Sequence, residues 1–378
     1  FNHLNIFLQM YYLFLNKHLG ISGGKDSAAL AMYMKTRHPE IDMEYYFSDT
    51  GKELPETYEL IAELESFLGK KILKLEANHS HKNPFDHYLD IYNGFLPSSM
   101  ARWCTQKLKL EPFERWIGSD LVISYVGIRD DEDREGYVSA KPNIQSVFPF
   151  RKHIWSIEVL HKVLHNSNRE RIAELYKIHG SEGMLTRSLE IVWEPQSPKY
   201  LFSQKMKDLL QLSISTFNHV VFNFLKTENH PVSYLNEYSL LDNEDSVDIK
   251  RVYQLFRENG VKVPGYYEEI EFEVNGKKGK YNRSRSGCFF CFYQRKIEWI
   301  WLYERHLELF RKAQEYEKDG YSWMDNETLE QIIHPERMAQ IKLDYIATLQ
   351  KKLNGKSKSN KLIDILADEN DVCANCFI

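Results

Sequence analysis

Nowhere does the 378-residue sequence run apolar for the roughly 20 residues that a membrane helix needs. Its most apolar segment, residues 1–21, is interrupted by Asn2, His3, Asn5, Gln9, Asn16, Lys17 and His18. That segment also lacks the basic start and small-residue cleavage site of a secretory signal. A soluble, cytoplasmic protein with no membrane partner is therefore expected. Cysteine is scarce as well: the chain has five, at Cys104, Cys288, Cys291, Cys373 and Cys376. An odd number, four of them in two C-x-x-C pairs, makes a poor disulfide framework and a better metal or redox arrangement. Nor does charge of one sign dominate, since 49 Lys and Arg stand against 54 Asp and Glu. That balance excludes a molecule drawn as a whole to nucleic acid, so any such surface must be a local patch. There is no internal repeat.

What is present is an alternation of short apolar runs and helical patterns. Strands are expected at 13–21, 43–47, 71–75 and 121–127, with helices at 26–35, 56–68 and 104–116 between them. Strands separated by helices require crossover connections, hence a mostly parallel α/β sheet with helices on both faces. Beyond residue 150 the pattern turns helical, at 153–164, 169–178, 205–225, 251–259 and 294–319. The aromatic stripe Trp299, Trp301, Tyr303 and Phe310 reads as core. Residues 236–248, acidic and polar, suit an exposed connection, and 355–361 a Gly/Ser/Lys linker. The expected organisation is a nucleotide-binding unit over 1–165, a helical segment of unknown role over 166–265, and a largely helical, cysteine-bearing metal-binding region over 266–378.

Ser22-Gly23-Gly24-Lys25-Asp26-Ser27 follows the first expected strand and opens the first helix. Paired glycines let successive backbone N–H groups point into one concavity, and the helix N-terminus and Lys25 add positive charge. This is a phosphate-binding arrangement, although not the G-x-x-x-x-G-K-[ST] loop. Asp49, at a strand end, suits Mg²⁺ or a ribose hydroxyl, or alternatively caps the helix that starts near Pro55. Arg129 and Arg134 suit phosphate or sulfate oxygens, or else pair with Asp130, Asp131, Glu132 and Asp133. Lys109 reads either as a phosphate-neutralising charge or as part of a solvated helix face.

Together these residues carry a resemblance. Ser22 to Ser27 is similar to the signature of the PP-loop ATP pyrophosphatases. Ser48-Asp49-Thr50-Gly51-Lys52-Glu53-Leu54-Pro55 resembles the second motif of the phosphoadenosine phosphosulfate (PAPS) reductase family. So do Arg102-Trp103-Cys104-Thr105 with Leu108-Lys109, and Gly127-Ile128-Arg129 with Arg134. The resemblance spans about residues 18–165, returns at Arg285 to Cys291, and is nearest to DndC-like proteins of DNA phosphorothioation. It implies a Rossmann-like sheet, ATP and Mg²⁺ as cofactors, and cleavage of ATP to AMP and pyrophosphate with transfer of sulfur to an activated acceptor. The implied catalytic residues are Lys25, Asp26, Asp49 and Arg129. Nucleotide contacts are implied for residues 22–27, Asp49, Thr50, Lys109, Gly127, Arg129 and Arg134. The implied partners are DNA reached through other modification-system subunits, and a cysteine desulfurase or another sulfur donor. Sulfonucleotide reduction, tRNA thiolation and a non-catalytic ATP-binding subunit are the alternatives.

The thiols suit Zn²⁺ or a [4Fe–4S] cluster, and the resemblance favours the cluster. Five cysteines compete for four places. One set is Cys104, Cys288 and Cys291 with a tail cysteine; the other is Cys288, Cys291, Cys373 and Cys376. The C-terminal sequence Asp371 to Cys376 is not the E-C-G-x-H type motif of sulfonucleotide reductases. Around the first pair, residues 276–296 carry seven Lys or Arg and no Asp or Glu, interleaved with aromatics. That stretch is the local hint of a polyanionic acceptor.

Overall fold

A computed structural model describes residues 15–77, 82–132, 139, 141–318 and 320–353. Strands β1 (Leu15–Gly20), β2 (Glu44–Asp49), β3 (Ile72–Glu76), β4 (Leu121–Tyr125) and β5 (Ile144–Val147) form one sheet in the order β3-β2-β1-β4-β5. Every pairing in it is parallel. The crossovers carry helices α1 (Lys25–Arg37), α2 (Pro55–Leu68), α3 (Pro84–Ile91), α4 (Trp103–Thr105) and α5 (Glu111–Ile117), the last two joined by a π-helical turn at Gln106–Leu110. The expected parallel α/β sheet is therefore present. The fifth strand went unforeseen because Ile144–Val147 is only four residues long and buried throughout, so it shows no alternation.

Period-two alternation sorts the sheet residues between two faces. Tyr45, Phe47, Ile123 and Tyr125 join a large core with α1, whereas Tyr46 and Val122 face Phe113 and Ile117 of α5. The large core also holds α6 (Ile157–Val163), α7 (Arg169–His179), α8 (Glu182–Trp193), α9 (Phe202–Leu212), α10 (Ile214–Leu225) and α11 (Ile249–Asn259). Residues 166–265 thus share one core with β1 and α1. The single helix expected at 205–225 is two. Ser213 leaves the helical region (φ −163°, ψ 118°) and its hydroxyl caps α10 at the Thr216 N–H. The segment 236–248 is largely exposed, as expected, but anchored: the Tyr33 hydroxyl lies within hydrogen-bond reach of Asn243 Oδ1 (3.0 Å) and Asp245 Oδ2 (2.8 Å), and Val247 bonds Asp130 and Phe150 through its backbone.

A second core joins the sheet's loops to the C-terminal half. Leu54, Phe85, Trp103 and Leu108 pack with Tyr266, Phe290, Trp299 and Trp301. This half contains an antiparallel hairpin of β6 (Ile270–Val274) and β7 (Lys277–Tyr281), then α12 (Lys296–Arg305), α13 (Leu307–Gln314), α14 (Leu329–Ile332) and α15 (Pro335–Leu353). The helix expected across 294–319 breaks at His306 (φ −136°, ψ 60°). The expected aromatic stripe is core, with Trp299, Trp301 and Phe310 buried. Among the described residues, no helix is long and apolar enough to cross a membrane.

Candidate functional site

Since β1 lies between β2 and β4, the chain leaves β1 in one direction and β4 in the other. Ligands of such sheets bind outside the strand ends at this reversal. The loop at residues 22–27 leaves β1 there, and Gly127 to Arg129 leave β4 beside it. Gly23 adopts φ +74°, and a Cβ on it would stand 2.3 Å from Thr57 Cγ2, so glycine is required twice over. Ser22 N–H donates to Ser27 Oγ (3.1 Å) and Gly24 N–H to Ser22 Oγ (3.3 Å), which curls the loop around the N-terminus of α1. Lys25 Nζ lies 3.3 Å from Asp26 Oδ2. A Cβ on Gly127 would meet the Asp26 carbonyl oxygen at 3.0 Å, which brings the Arg129 segment against the loop.

Arg129 takes the ion-pairing reading and extends it to the loop. It pairs with Asp131 (2.8 Å) and Glu132 (2.6 Å), and it also reaches Asp26 of the loop at 2.6 Å. Burial works against its charge, but the Asp26 and Glu132 carboxylates outweigh burial and raise its pKa. Arg134 lies outside the described residues. Asp49 is buried and does not cap α2. Its Oδ1 accepts from Gly51 N–H (2.6 Å) and the Tyr58 hydroxyl (2.9 Å), and its Oδ2 pairs with Lys74 (2.7 Å). Among the described residues, no three His, Cys, Asp or Glu side chains are grouped to hold a metal ion.

Cys104, Cys288 and Cys291 nonetheless line a single cavity, together with Thr50, Lys109 and Ser286. Sequence separations of 184 and more are bridged by backbone pairing: Glu53 and Cys288 form an antiparallel bridge, and Phe289 N–H donates to Lys52 O (2.9 Å). Thr50 Oγ1 lies 2.7 Å from Glu53 Oε1 and 3.1 Å from Cys288 Sγ. Burial and the Glu53 carboxylate push the Cys288 thiol well above its ordinary pKa, and Lys109 pulls against them. Lys109 thus faces the cavity from the π-helical turn, the kind of helix irregularity that gathers at functional sites. Cys373 and Cys376 lie outside the described residues.

Several charges of the basic stretch at 276–296 have acidic neighbours. Lys278 and Lys280 stand opposite Glu273 and Glu271 across the hairpin. Arg283 is buried, and Arg295 and Lys296 pair with Glu298 and Glu327. The opposing carboxylates sit outside the stretch, on β6, within α12 and before α14.

With this geometry in place, residues 17–161 match the profile of the phosphoadenosine phosphosulfate reductase domain. Over that segment the chain is similar to the phosphoadenosine phosphosulfate reductase family. The chain is 30% identical over 168 residues to an uncharacterised protein of Methanocaldococcus jannaschii, covering 40% of this chain and 33% of that protein. It is 27% identical over 152 residues to an uncharacterised nin-region protein of Escherichia phage lambda, covering 34% of this chain and 52% of that protein. The chain therefore spans between a third and about half the length of these curated relatives. A PAPS reductase from Candida auris, solved as a phosphate complex, aligns at 16% identity and a TM-score of 0.29, over 38% of this chain and 67% of that one.

Three residues outside the matched PAPS reductase segment reach the loop, and sequence reasoning missed their role. The Tyr266 hydroxyl donates to Gly23 O (2.7 Å), and the Tyr267 hydroxyl accepts from Lys25 N–H (3.4 Å). Ser286 Oγ stands 2.6 Å from where a Cβ on Gly24 would be, so glycine is needed there for the cysteine segment to approach. The Pro264-Gly265 pair marks a turn at this point, but only the fold shows what the turn carries.

Proposed function

We propose that the chain is a nucleotide-dependent sulfur-transfer enzyme. One observation carries the reading: Ser286 lines the cysteine cavity while touching Gly24 of the phosphate loop. A phosphate held on residues 22–27 therefore lies beside thiol chemistry. On this reading the loop's N–H groups and the α1 N-terminus hold the phosphates of ATP, while Lys25 and Arg129 offset their charge. An acceptor oxygen attacks the α phosphorus and the α–β bridge breaks, giving an acceptor adenylate and pyrophosphate. A sulfur nucleophile then forms its bond to the acceptor centre and AMP leaves. Arg129 pairs with Asp26, Asp131 and Glu132, so on this reading a bound phosphate would compete with these carboxylates for its guanidinium.

The three thiols of the cavity are the donor chemistry of a [4Fe–4S] cluster, although among the described residues they are not grouped closely enough to hold a metal ion. Cys104, Cys288 and Cys291 would hold it with Cys373 or Cys376, and the bound cluster would supply electrons or a sulfur-binding iron; zinc in the same thiols would be structural. Asp49 fits Mg²⁺ less well, because both of its oxygens already have protein partners. The proposed acceptor is the DNA backbone, as in DndC-like proteins, reached through partner subunits and supplied with sulfur by a cysteine desulfurase. The similarity of residues 17–161 to the phosphoadenosine phosphosulfate reductase domain favours a second reading, reduction of a small sulfonucleotide such as PAPS.

Product analysis separates the two. AMP and pyrophosphate formed from ATP support the first reading. Sulfite released from PAPS with a thiol reductant, and no pyrophosphate from ATP, would replace it with the second.

A further inference from the structure

Tyr266 and Tyr267 sit 242 or more residues away from the loop in sequence, yet both touch it through their hydroxyls. Their backbones are fastened to the segment leading to the cysteines: Arg283 N–H donates to Tyr266 O (2.9 Å) and Asn282 Nδ2 to Tyr267 O (3.0 Å). The tyrosines are therefore set by the C-terminal half and are not mobile additions to the loop.

The Tyr266 contact has a directional consequence. No cis peptide bond occurs among the described residues, so the Gly23 C=O and the Gly24 N–H point in opposite directions from one peptide plane. By holding the Gly23 oxygen at 2.7 Å, the Tyr266 hydroxyl turns the Gly24 N–H the other way, toward Ser22 Oγ and into the loop's concavity. Without that anchor, a glycine pair with free φ and ψ has many orientations for this amide.

For Tyr267 the argument is one of hydrogen-bonding capacity. A phenol oxygen accepts twice and donates once. Tyr267 Oη accepts from the Lys25 N–H. Its proton is the group left to spend, and a donor suits an anion. Lys25 Nζ lies 4.5 Å from the centre of the same ring, so the ring borders the space in which a phosphate would meet Lys25.

We propose that this tyrosine pair completes the phosphate site: Tyr266 is a positioning residue that aims the Gly24 amide, and Tyr267 donates a hydrogen bond to a phosphate oxygen of the bound nucleotide. The proposal rests on the nucleotide reading above and extends the site beyond the segment matched to the family.

Calorimetric titration of the full chain with ATP and with inorganic pyrophosphate tests it, in the wild type, Tyr266→Phe and Tyr267→Phe. Tyr200→Phe, whose hydroxyl bonds Asp208 away from the loop, serves as the control. Loss of one hydrogen bond to a charged ligand should weaken both ligands by about tenfold in the two loop variants and leave the control unchanged. The thermal midpoints should stay together, and amide exchange without ligand should speed up at Gly24 in Tyr266→Phe but not in Tyr267→Phe. Wild-type binding with undiminished affinity in Tyr267→Phe would overturn the donor role and leave the nucleotide reading standing. An unchanged Gly24 exchange rate in Tyr266→Phe overturns the positioning role. A wild type that binds neither ligand removes the nucleotide reading and this proposal with it.

Discussion

Cys288 Sγ lies 3.1 Å from Thr50 Oγ1, which joins the first C-x-x-C pair to the residue that follows Asp49. The contact belongs to a longer chain of bonds. Arg283 donates to the Cys288 carbonyl (3.2 Å) and through its backbone to Tyr266, whose hydroxyl holds Gly23. The cysteine segment and the phosphate loop are thus built on one scaffold, and disturbance of either should be felt at the other.

Gly24→Ala is expected to impair nucleotide binding through Ser286. The new methyl would meet Ser286 Oγ at 2.6 Å, an overpacking that costs ~1–3 kcal/mol. Adding Ser286→Ala should recover most of the lost affinity and thermal stability, because it removes the atom that clashes. A double mutant no better than Gly24→Ala would show that the clash is not the cause.

Lys25→Ala and Arg129→Lys should each lower the rate of pyrophosphate release by about 10- to 100-fold, as loss of a charge-assisted contact does. Arg129→Lys keeps the charge but loses the fork that engages Asp26 and Asp131 together. Far-UV circular dichroism should remain that of the wild type. Full turnover in both variants would remove these residues from the chemistry.

Protein purified without oxygen should contain iron and absorb near 400 nm, roughly as thiolate-held clusters do. Ser in place of Cys104, Cys288 or Cys291 should each lower the iron content, and the same replacement at Cys373 and Cys376 in turn should identify the fourth ligand. Stoichiometric zinc with no iron would make the site structural.

Acidification should loosen the packing of α12 against α15. Glu327 hydrogen-bonds Arg337 (2.5 and 2.9 Å) and Lys296, and these bonds pull its pKa from 4.5 to about 2. A folded pKa below the unfolded one stabilises fully above about pH 4.5 and is lost as pH falls toward about 2. Thermal midpoints followed across this window should fall further in the wild type than in Glu327→Gln, which lacks the titrating group. Parallel curves would rule the clamp out.

Local order along the chain was legible in the sequence. The glycine-rich turn at residues 22–24 stands between a strand and a helix, as its pattern indicated. The strand–helix alternation fixed a parallel sheet, because crossovers leave no other economical arrangement. The pairing of Cys288 with Cys291 was visible as spacing alone. Only the tertiary structure decided which distant residues meet. Cys104 lines the same cavity as Cys288 and Cys291, Cys288 being bridged to Glu53, and the loop is touched by Tyr266, Tyr267 and Ser286. The same holds for charge: Lys280 and Lys296 of the basic run at 276–296 meet Glu271 and Glu327, which lie outside it. Backbone propensity and periodicity act over a few residues and are written locally. Contacts across more than two hundred residues depend on how whole elements pack, and no local pattern encodes them.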